Sequence, residues 1–298
     1  MRVAIIFLIH FANILTAFDI KDHPNWHLLD HEHCGESLSD RIIGGASATL
    51  GQFPWVARLG YQPHFPRFSL PVFKCGGSLI SNFYVVTAAH CVAHLRNEDL
   101  ALIRLGELNA ITDVDCENNV CAPPVQDFRP AKQFYHENYG NPKMRHDIAL
   151  IRLDHPAKIH SYVLPICLPQ GPLLNKDYEG TTMEVAGWGV NDVETGASSA
   201  VLLHVRVPII KPEMCEQSVG HFATVSENQF CAGGQIGYDS CGGDSGGPLM
   251  KPEAVDGPPR YFLIGVVSFG STNCGSNVPA IYTNVARYVK WILDNIEP

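Results

Sequence analysis

The chain has 298 residues, 46% of them hydrophobic and 17% charged, which is enough apolar material to bury a sizeable core. Lys and Arg number 21 against 30 Asp and Glu, a formal charge of -9, and this excludes the clustered cationic surface that nucleic-acid binding requires. Ten cysteines with no paired CxxC spacing point to disulfides rather than a zinc site.

In chain order, Met1-Arg2-Val3 lead into an apolar stretch that reaches Ala17 and is interrupted by His10 and Asn13. The pattern predicts a signal peptide over 1–17, too short for a membrane anchor, and therefore a secreted protein with no membrane partner. Residues 18–41 are polar, His-rich and aperiodic, hold only Cys34, and read as a short propeptide or light chain. From Ile42 onward short apolar runs alternate with Gly- and Pro-rich turns: Trp55 to Leu59, Gly77 to Ile80, Tyr84 to Thr87, Leu100 to Leu105, Ala149 to Leu153, Met183 to Ala186, Leu202 to Val207 and Phe262 to Phe269. Many short strands at such intervals predict an all-β sandwich or barrels. Cys116 and Cys121 can close a small loop by themselves. Long loops are expected at His64 to Pro71, Asn191 to Ser199 and Lys251 to Arg260. At the C-terminus Val285, Val289, Ile292 and Ile296 share one helical face.

The chemistry-bearing segment is Gly242-Gly243-Asp244-Ser245-Gly246-Gly247-Pro248, where glycines let the backbone turn sharply beside one serine. A serine needs a base and N–H donors for a developing oxyanion. The run also fits the G-x-S-x-G elbow, but that fold places its acid and histidine after the serine. No histidine follows Ser245, the last being His221, so the base lies upstream. His90 ends the apolar run Val85-Val86-Thr87-Ala88-Ala89 and adjoins Cys91. Asp147 opens the apolar run Ile148-Ala149-Leu150-Ile151, and a carboxylate entering a core needs a hydrogen-bonded partner such as an imidazole.

Together, Thr87-Ala88-Ala89-His90-Cys91, Asp147-Ile148-Ala149-Leu150 and Gly243-Asp244-Ser245-Gly246-Gly247-Pro248 resemble the three signatures of trypsin-like serine proteases, in the order His, Asp, Ser. The resemblance covers residues 42–298. It implies two six-stranded antiparallel β-barrels with a C-terminal α-helix and the site in the cleft between the barrels. It further implies His90 as general base and acid, Asp147 as its orienting acid, Ser245 as nucleophile, and the amides of Gly243 and Ser245 as oxyanion hole. The disulfides implied are Cys75–Cys91, Cys215–Cys231, Cys241–Cys274 and Cys34–Cys167. That leaves Cys116–Cys121, in a run similar to arthropod clip-domain proteases of the easter and prophenoloxidase-activating type. A clip domain needs six cysteines upstream of the activation site, so the chain is expected to be a clip-less relative.

Arg41-Ile42-Ile43-Gly44-Gly45 resembles the family's activation site, where an upstream protease cuts after Arg41 and the freed Ile42 ammonium pairs with Asp244. Asp239, six residues before Ser245, and Ser240 fall where trypsin-like enzymes select Arg or Lys. Ser268-Phe269-Gly270 is expected to form the wall that pairs with substrate backbone. Ala280 stands where the family usually has glycine, which implies a narrowed pocket. Glu107 and Asn109 open a loop that binds Ca²⁺ in some relatives, with Asp115 and Glu117 nearby, so Ca²⁺ enters as an optional structural ion and no cofactor is required. The expectation is a monomeric zymogen acting on a protein substrate in an extracellular immune or melanisation-type cascade, restrained by a serpin-type inhibitor. The competing readings are a catalytically weak, pseudoprotease-like scaffold and a venom or digestive protease.

Overall fold

Each apolar run forms a strand with at least one buried face. The computed structural model describes residues 19–38, 46–66, 69–140, 144–192, 195–219, 225–235, 243–270 and 277–298. The first barrel is built from β1 (Val56–Pro63), β2 (Val72–Ser81), β3 (Tyr84–Thr87), β4 (Glu98–Leu105), β5 (Gln126–Phe128), β6 (Pro130–Tyr135) and β7 (Ala149–Leu153). Its ladder runs β5-β4-β1-β2-β3-β7-β6. Only Arg129 separates β5 from β6, so one bent length of chain pairs with β4 at one end and β7 at the other. That bend joins the two edges of the sheet and makes six chain runs into a barrel. Proline at the head of β6 donates no ladder bond, which suits the point where pairing changes partner.

The second barrel comprises β8 (Thr182–Gly187), β9 (Leu203–Ile210), β10 (Gln229–Gly233), β11 (Pro248–Glu253), β12 (Arg260–Phe269) and β13 (Pro279–Asn284). It closes by hydrogen bonding, because β9 pairs with β8 on one side and β10 on the other. The two-barrel expectation is met.

Three elements differ from the sequence reading. The expected loop Asn191 to Ser199 carries a short antiparallel pairing of Val190–Asp192 with Ala197–Ser198. The segment Lys251 to Arg260 is half strand: Lys251, Pro252 and Glu253 pair with Phe262, Tyr261 and Arg260. Pro252 is tolerated because β11 pairs with β8 only at Leu249 and Met250, so its other edge is free beyond that point. A helix α1 (Pro212–Val219) was not anticipated, since of its described side chains only Cys215 is buried and the apolar periodicity is absent. The C-terminal face is as expected: Val285, Val289, Ile292 and Ile296 are at most 2% exposed. It is divided at Tyr288 into a 3-10 turn, Val285–Arg287, and helix α2, Val289–Asn295.

The polar segment 19–38 packs on the back of the barrels. Ile20, Leu29 and Cys34 are buried, and the Gly35 N–H donates to the Pro165 carbonyl at 2.8 Å. The Asn25 amide donates to the Leu293 and Ile296 carbonyls, each at 2.9 Å, capping the end of α2. Cys34–Cys167, Cys75–Cys91, Cys116–Cys121 and Cys215–Cys231 are bonded. Cys241 and Cys274 lie outside the described residues, as do Arg41, Ile42, Asp239, Ser240 and residues 1–18. Among the described residues no helix is long and apolar enough to cross a membrane.

Candidate active site

Antiparallel register brings the first two site residues together. Ala149 pairs with Thr87, so Asp147, two residues before Ala149, falls beside the turn Ala89–Cys91 that begins two residues after Thr87 and carries His90. The Cys75–Cys91 disulfide ties that turn to β2. Asp147 is 1% exposed, and a buried carboxylate must be hydrogen-bonded. Its Oδ1 accepts the His90 backbone N–H at 2.9 Å, and its Oδ2 pairs with His90 Nδ1 at 2.8 Å. Because an ionised carboxylate only accepts, the proton sits on Nδ1 and leaves Nε2 as the basic nitrogen.

Ser268 donates its hydroxyl to the same Oδ2 at 2.5 Å, and Thr283 donates to the Asp147 carbonyl at 2.8 Å. Both come from the second barrel, so the acid of the first is clamped by strands of the other. The sequence reading placed Ser268 only on the substrate wall. Its hydroxyl is turned to Asp147, and nothing local in Ser268-Phe269-Gly270 signals that.

His90 has a raised pKa. Burial works against the imidazolium, but the hydrogen bond and the negative charge of Asp147 outweigh it.

Ser245 reaches the same place through its backbone. The Gly76 N–H donates to the Ser245 carbonyl at 2.7 Å, so the Ser245 loop hangs on β2, the strand disulfide-linked to the His90 turn. Gly246, at φ +78°, packs so closely that a Cβ would lie 2.1 Å from Thr87 Oγ1. Only glycine fits there. Gly243 has φ +99°, a backbone state that side chains rarely adopt.

Asp244 is held against the Gly187-Trp188-Gly189 segment. Its Oδ1 accepts the Gly189 N–H at 2.8 Å. A Cβ on Gly187 would stand 2.1 Å from Oδ1, and one on Gly189 would stand 2.4 Å from Oδ2. The Gly187-Trp188-Gly189 sequence is thus a cradle for this carboxylate, a role the sequence reading did not give it. Phe269 ends β12 and Gly270 follows it. Gly270 faces Ala280, whose methyl would be 3.1 Å from any Cβ placed there, and Ala280 is 2% exposed.

Most of the oxygens named for calcium are engaged within the protein. Glu107 is 7% exposed, and its Oε2 faces Arg104 at 3.3 Å and Arg58 at 3.9 Å. Asp115 Oδ2 accepts the N–H groups of Leu108 and Asn109, its Oδ1 takes the Thr112 hydroxyl, and Glu117 accepts from Leu50. Asn109 Oδ1 accepts the Ile111 N–H at 3.4 Å. A calcium shell needs six to eight convergent oxygens, whereas Glu107 Oε2 and both Asp115 oxygens already face arginines or protein donors, and Glu107 Oε1 is buried with no hydrogen-bond partner. Among the described residues, the one cluster of metal-ligating types is Cys75, His90 and Cys91, and its two cysteines are bonded to each other.

A sequence model of the family described as Trypsin matches residues 42–292. The chain is 38% identical over 278 residues to the Spaetzle-processing enzyme of Drosophila melanogaster, covering 89% of this chain and 68% of that protein. It is 42% identical over 278 residues to phenoloxidase-activating factor 1 of Holotrichia diomphalia, covering 89% and 73%. Among solved structures, the Grass clip serine protease of the Drosophila Toll pathway superposes with a TM-score of 0.78 at 40% identity, covering 90% of this chain and 76% of that one.

Proposed function

This chain belongs to the trypsin family and is a trypsin-like serine endopeptidase, and from that premise we propose that it hydrolyses peptide bonds after Arg or Lys with His90, Asp147 and Ser245 as its catalytic residues. The observation that carries the assignment of roles is the buried Asp147, whose Oδ2 pairs with His90 Nδ1 at 2.8 Å beside the Ser245 loop. In the proposed cycle His90 Nε2 takes the Ser245 hydroxyl proton as Oγ attacks the scissile carbonyl. The imidazolium formed is stabilised by Asp147, which does not itself become protonated. The Gly243 and Ser245 amides face the developing oxyanion. His90 then passes the proton to the leaving amine, and water hydrolyses the acyl-enzyme by the same route. Asp239, with Ser240, is the proposed recognition element for the basic side chain through a charge-assisted hydrogen bond. Phe269 and Gly270 hold the substrate backbone.

Activation is proposed to follow cleavage after Arg41, with the new Ile42 ammonium pairing with Asp244 in the glycine cradle and so ordering the Gly243–Ser245 turn. The relatives named above process Spaetzle, activate phenoloxidase or serve the Toll pathway. By that kinship the protein is proposed as a secreted member of an extracellular proteolytic cascade, with a protein substrate, an upstream activating protease and a serpin-type inhibitor as partners.

The test is direct. Full-length precursor treated with a trypsin-like activator is expected to be labelled by a fluorophosphonate and to cleave Arg or Lys peptides, whereas Arg41→Gln precursor is expected to do neither. Labelling of untreated Arg41→Gln at the wild-type level would overturn the activation step. Treated wild-type protein that is cut after Arg41 yet takes no label would overturn the catalytic assignment.

A further inference from the structure

Just ahead of Asp147 the chain adopts a conformation that its own side chains must hold. His146 has φ +55°, in the left-handed region that costs a non-glycine residue strain. Its carbonyl accepts the Ile148 N–H at 2.9 Å, closing a three-residue turn with Asp147 at the centre. The direction in which the Asp147 carboxylate leaves the backbone is therefore set by the turn that His146 begins.

Two contacts keep the His146 ring in place. Its Nδ1 lies 3.0 Å from the hydroxyl of Tyr288, the residue on which α2 begins. Its face stacks on His136 with ring centroids 4.6 Å apart and planes 12° from parallel. His136 is 9% exposed, its Nδ1 accepts the Asn138 N–H at 3.2 Å, and it packs in turn against Tyr288 and Trp291. His136 Nδ1 accepts from the Asn138 N–H, which leaves the proton of a neutral His136 on Nε2, while His146 Nδ1 and the Tyr288 hydroxyl share one hydrogen bond. Protonating His136 at Nδ1 costs it the Asn138 N–H, and charging both rings sets two cations face to face at 4.6 Å.

We propose that His146, braced by Tyr288 and stacked on His136, is a positioning residue for Asp147, and that only the neutral ring pair holds the acid in its working geometry. The inference rests on the catalytic reading above and adds to it a device outside the triad. The charged and titratable groups facing the pair are Glu137, which draws positive charge toward His136, Arg145, which repels it from His146, and Tyr288 and Asp147. Both imidazoles are held below the ordinary histidine range, chiefly by burial. The ring pair therefore titrates at lower pH than His90, whose pKa is raised. Acid is expected to act on the enzyme in two stages: first by protonating the base, then by releasing the turn that aims the base's partner.

The experiment uses activated full-length enzyme, with active sites counted by fluorophosphonate labelling so that misfolded protein is not scored. His146→Ala is expected to lower kcat by about 10- to 100-fold, since small misplacements of catalytic groups cost on that order, with KM for an Arg peptide within about twofold. His146→Asn tolerates positive φ and offers an oxygen to Tyr288, so it is expected to recover kcat to within a few-fold of wild type. Below about pH 6 the wild type is expected to lose kcat with a slope steeper than one proton, and His146→Asn with a slope of one. Tyr288→Phe tests the brace and is expected to lie between His146→Ala and wild type in kcat. A His146→Ala enzyme with wild-type kcat per labelled site, or equal slopes in wild type and His146→Asn, would overturn the proposal while leaving the triad reading intact. Failure of activated wild type to label sinks that reading instead.

Discussion

Asp147 concentrates the site's electrostatics in one residue. Two donors from His90 and one from Ser268 converge on a carboxylate that is 1% exposed, and removing its charge leaves the imidazole without its orienting acceptor. Asp147→Asn is expected to reduce kcat by roughly 10⁴ with little change in KM, because the wrong tautomer of His90 is then favoured. A loss below tenfold in steady-state kinetics would show that another group orients the base. The raised pKa of His90 sets the acid limb of kcat/KM above the ordinary histidine value of about 6.5. A limb below that value would contradict the Asp147 pairing as the dominant influence. For stability the sign is the opposite of a depressed carboxylate's: a group with a raised folded-state pKa contributes fully below its unfolded pKa, and the contribution is lost as pH rises through the folded one. The pair should therefore help hold the fold in mild acid, where activity is already falling. Ala280 poses the remaining question at this scale. Its buried methyl against Gly270 narrows the space beside the proposed pocket, and overpacking costs about 1–3 kcal/mol. Ala280→Gly is expected to raise kcat/KM on Arg and Lys peptides by severalfold and to bring the two closer together. Identical paired-substrate kinetics in both enzymes would show that the methyl lies clear of the substrate.

At the scale of elements, strand register does most of the positioning. His90 and Asp147 belong to turns at the same end of paired strands, so neither needs a loop of its own to reach the other. The hairpin Cys116–Cys121 behaves differently, as a local staple with a sequence separation of only 5. In the chain-entropy account so short a closure contributes roughly 2 kcal/mol, whereas the Cys34–Cys167 bridge, with a separation of 133, contributes roughly 5 kcal/mol. Replacing both Cys116 and Cys121 by serine is expected to lower the unfolding free energy by about that smaller amount, read as a shift in denaturant midpoint, with kcat/KM unchanged. Loss of activity without loss of stability would assign the hairpin a functional contact. The unanticipated helix α1 and the strand content of Lys251 to Glu253 share a cause. Their residues are held by cross-links to the next elements of the chain, the Cys215–Cys231 bond and the β12 ladder, and not by apolar periodicity of their own.

For the whole molecule, the site is a product of two barrels pressed together. The first supplies His90 and Asp147, the second supplies the Ser245 turn, Ser268 and Thr283, and the Gly76–Ser245 bond crosses between them. The segment 19–38 fastens to the face where α2 ends, through Cys34–Cys167 and the Asn25 amide. Much of this was written in the sequence. Alternation of apolar runs with Gly- and Pro-rich turns determined the strands, the spacing of Val285, Val289, Ile292 and Ile296 determined the terminal face, and the surroundings of His90, Asp147 and Ser245 marked the candidate site, because side-chain type and local period are properties of short stretches. Only the tertiary structure decided that Ser268 serves Asp147, that Gly187 and Gly189 cradle Asp244, that Glu107 Oε2 faces arginines, and that His146 stacks on His136. Each of these is a contact between residues far apart in the chain or folded back by a positive φ, and such contacts are fixed by register and packing, which no local pattern encodes.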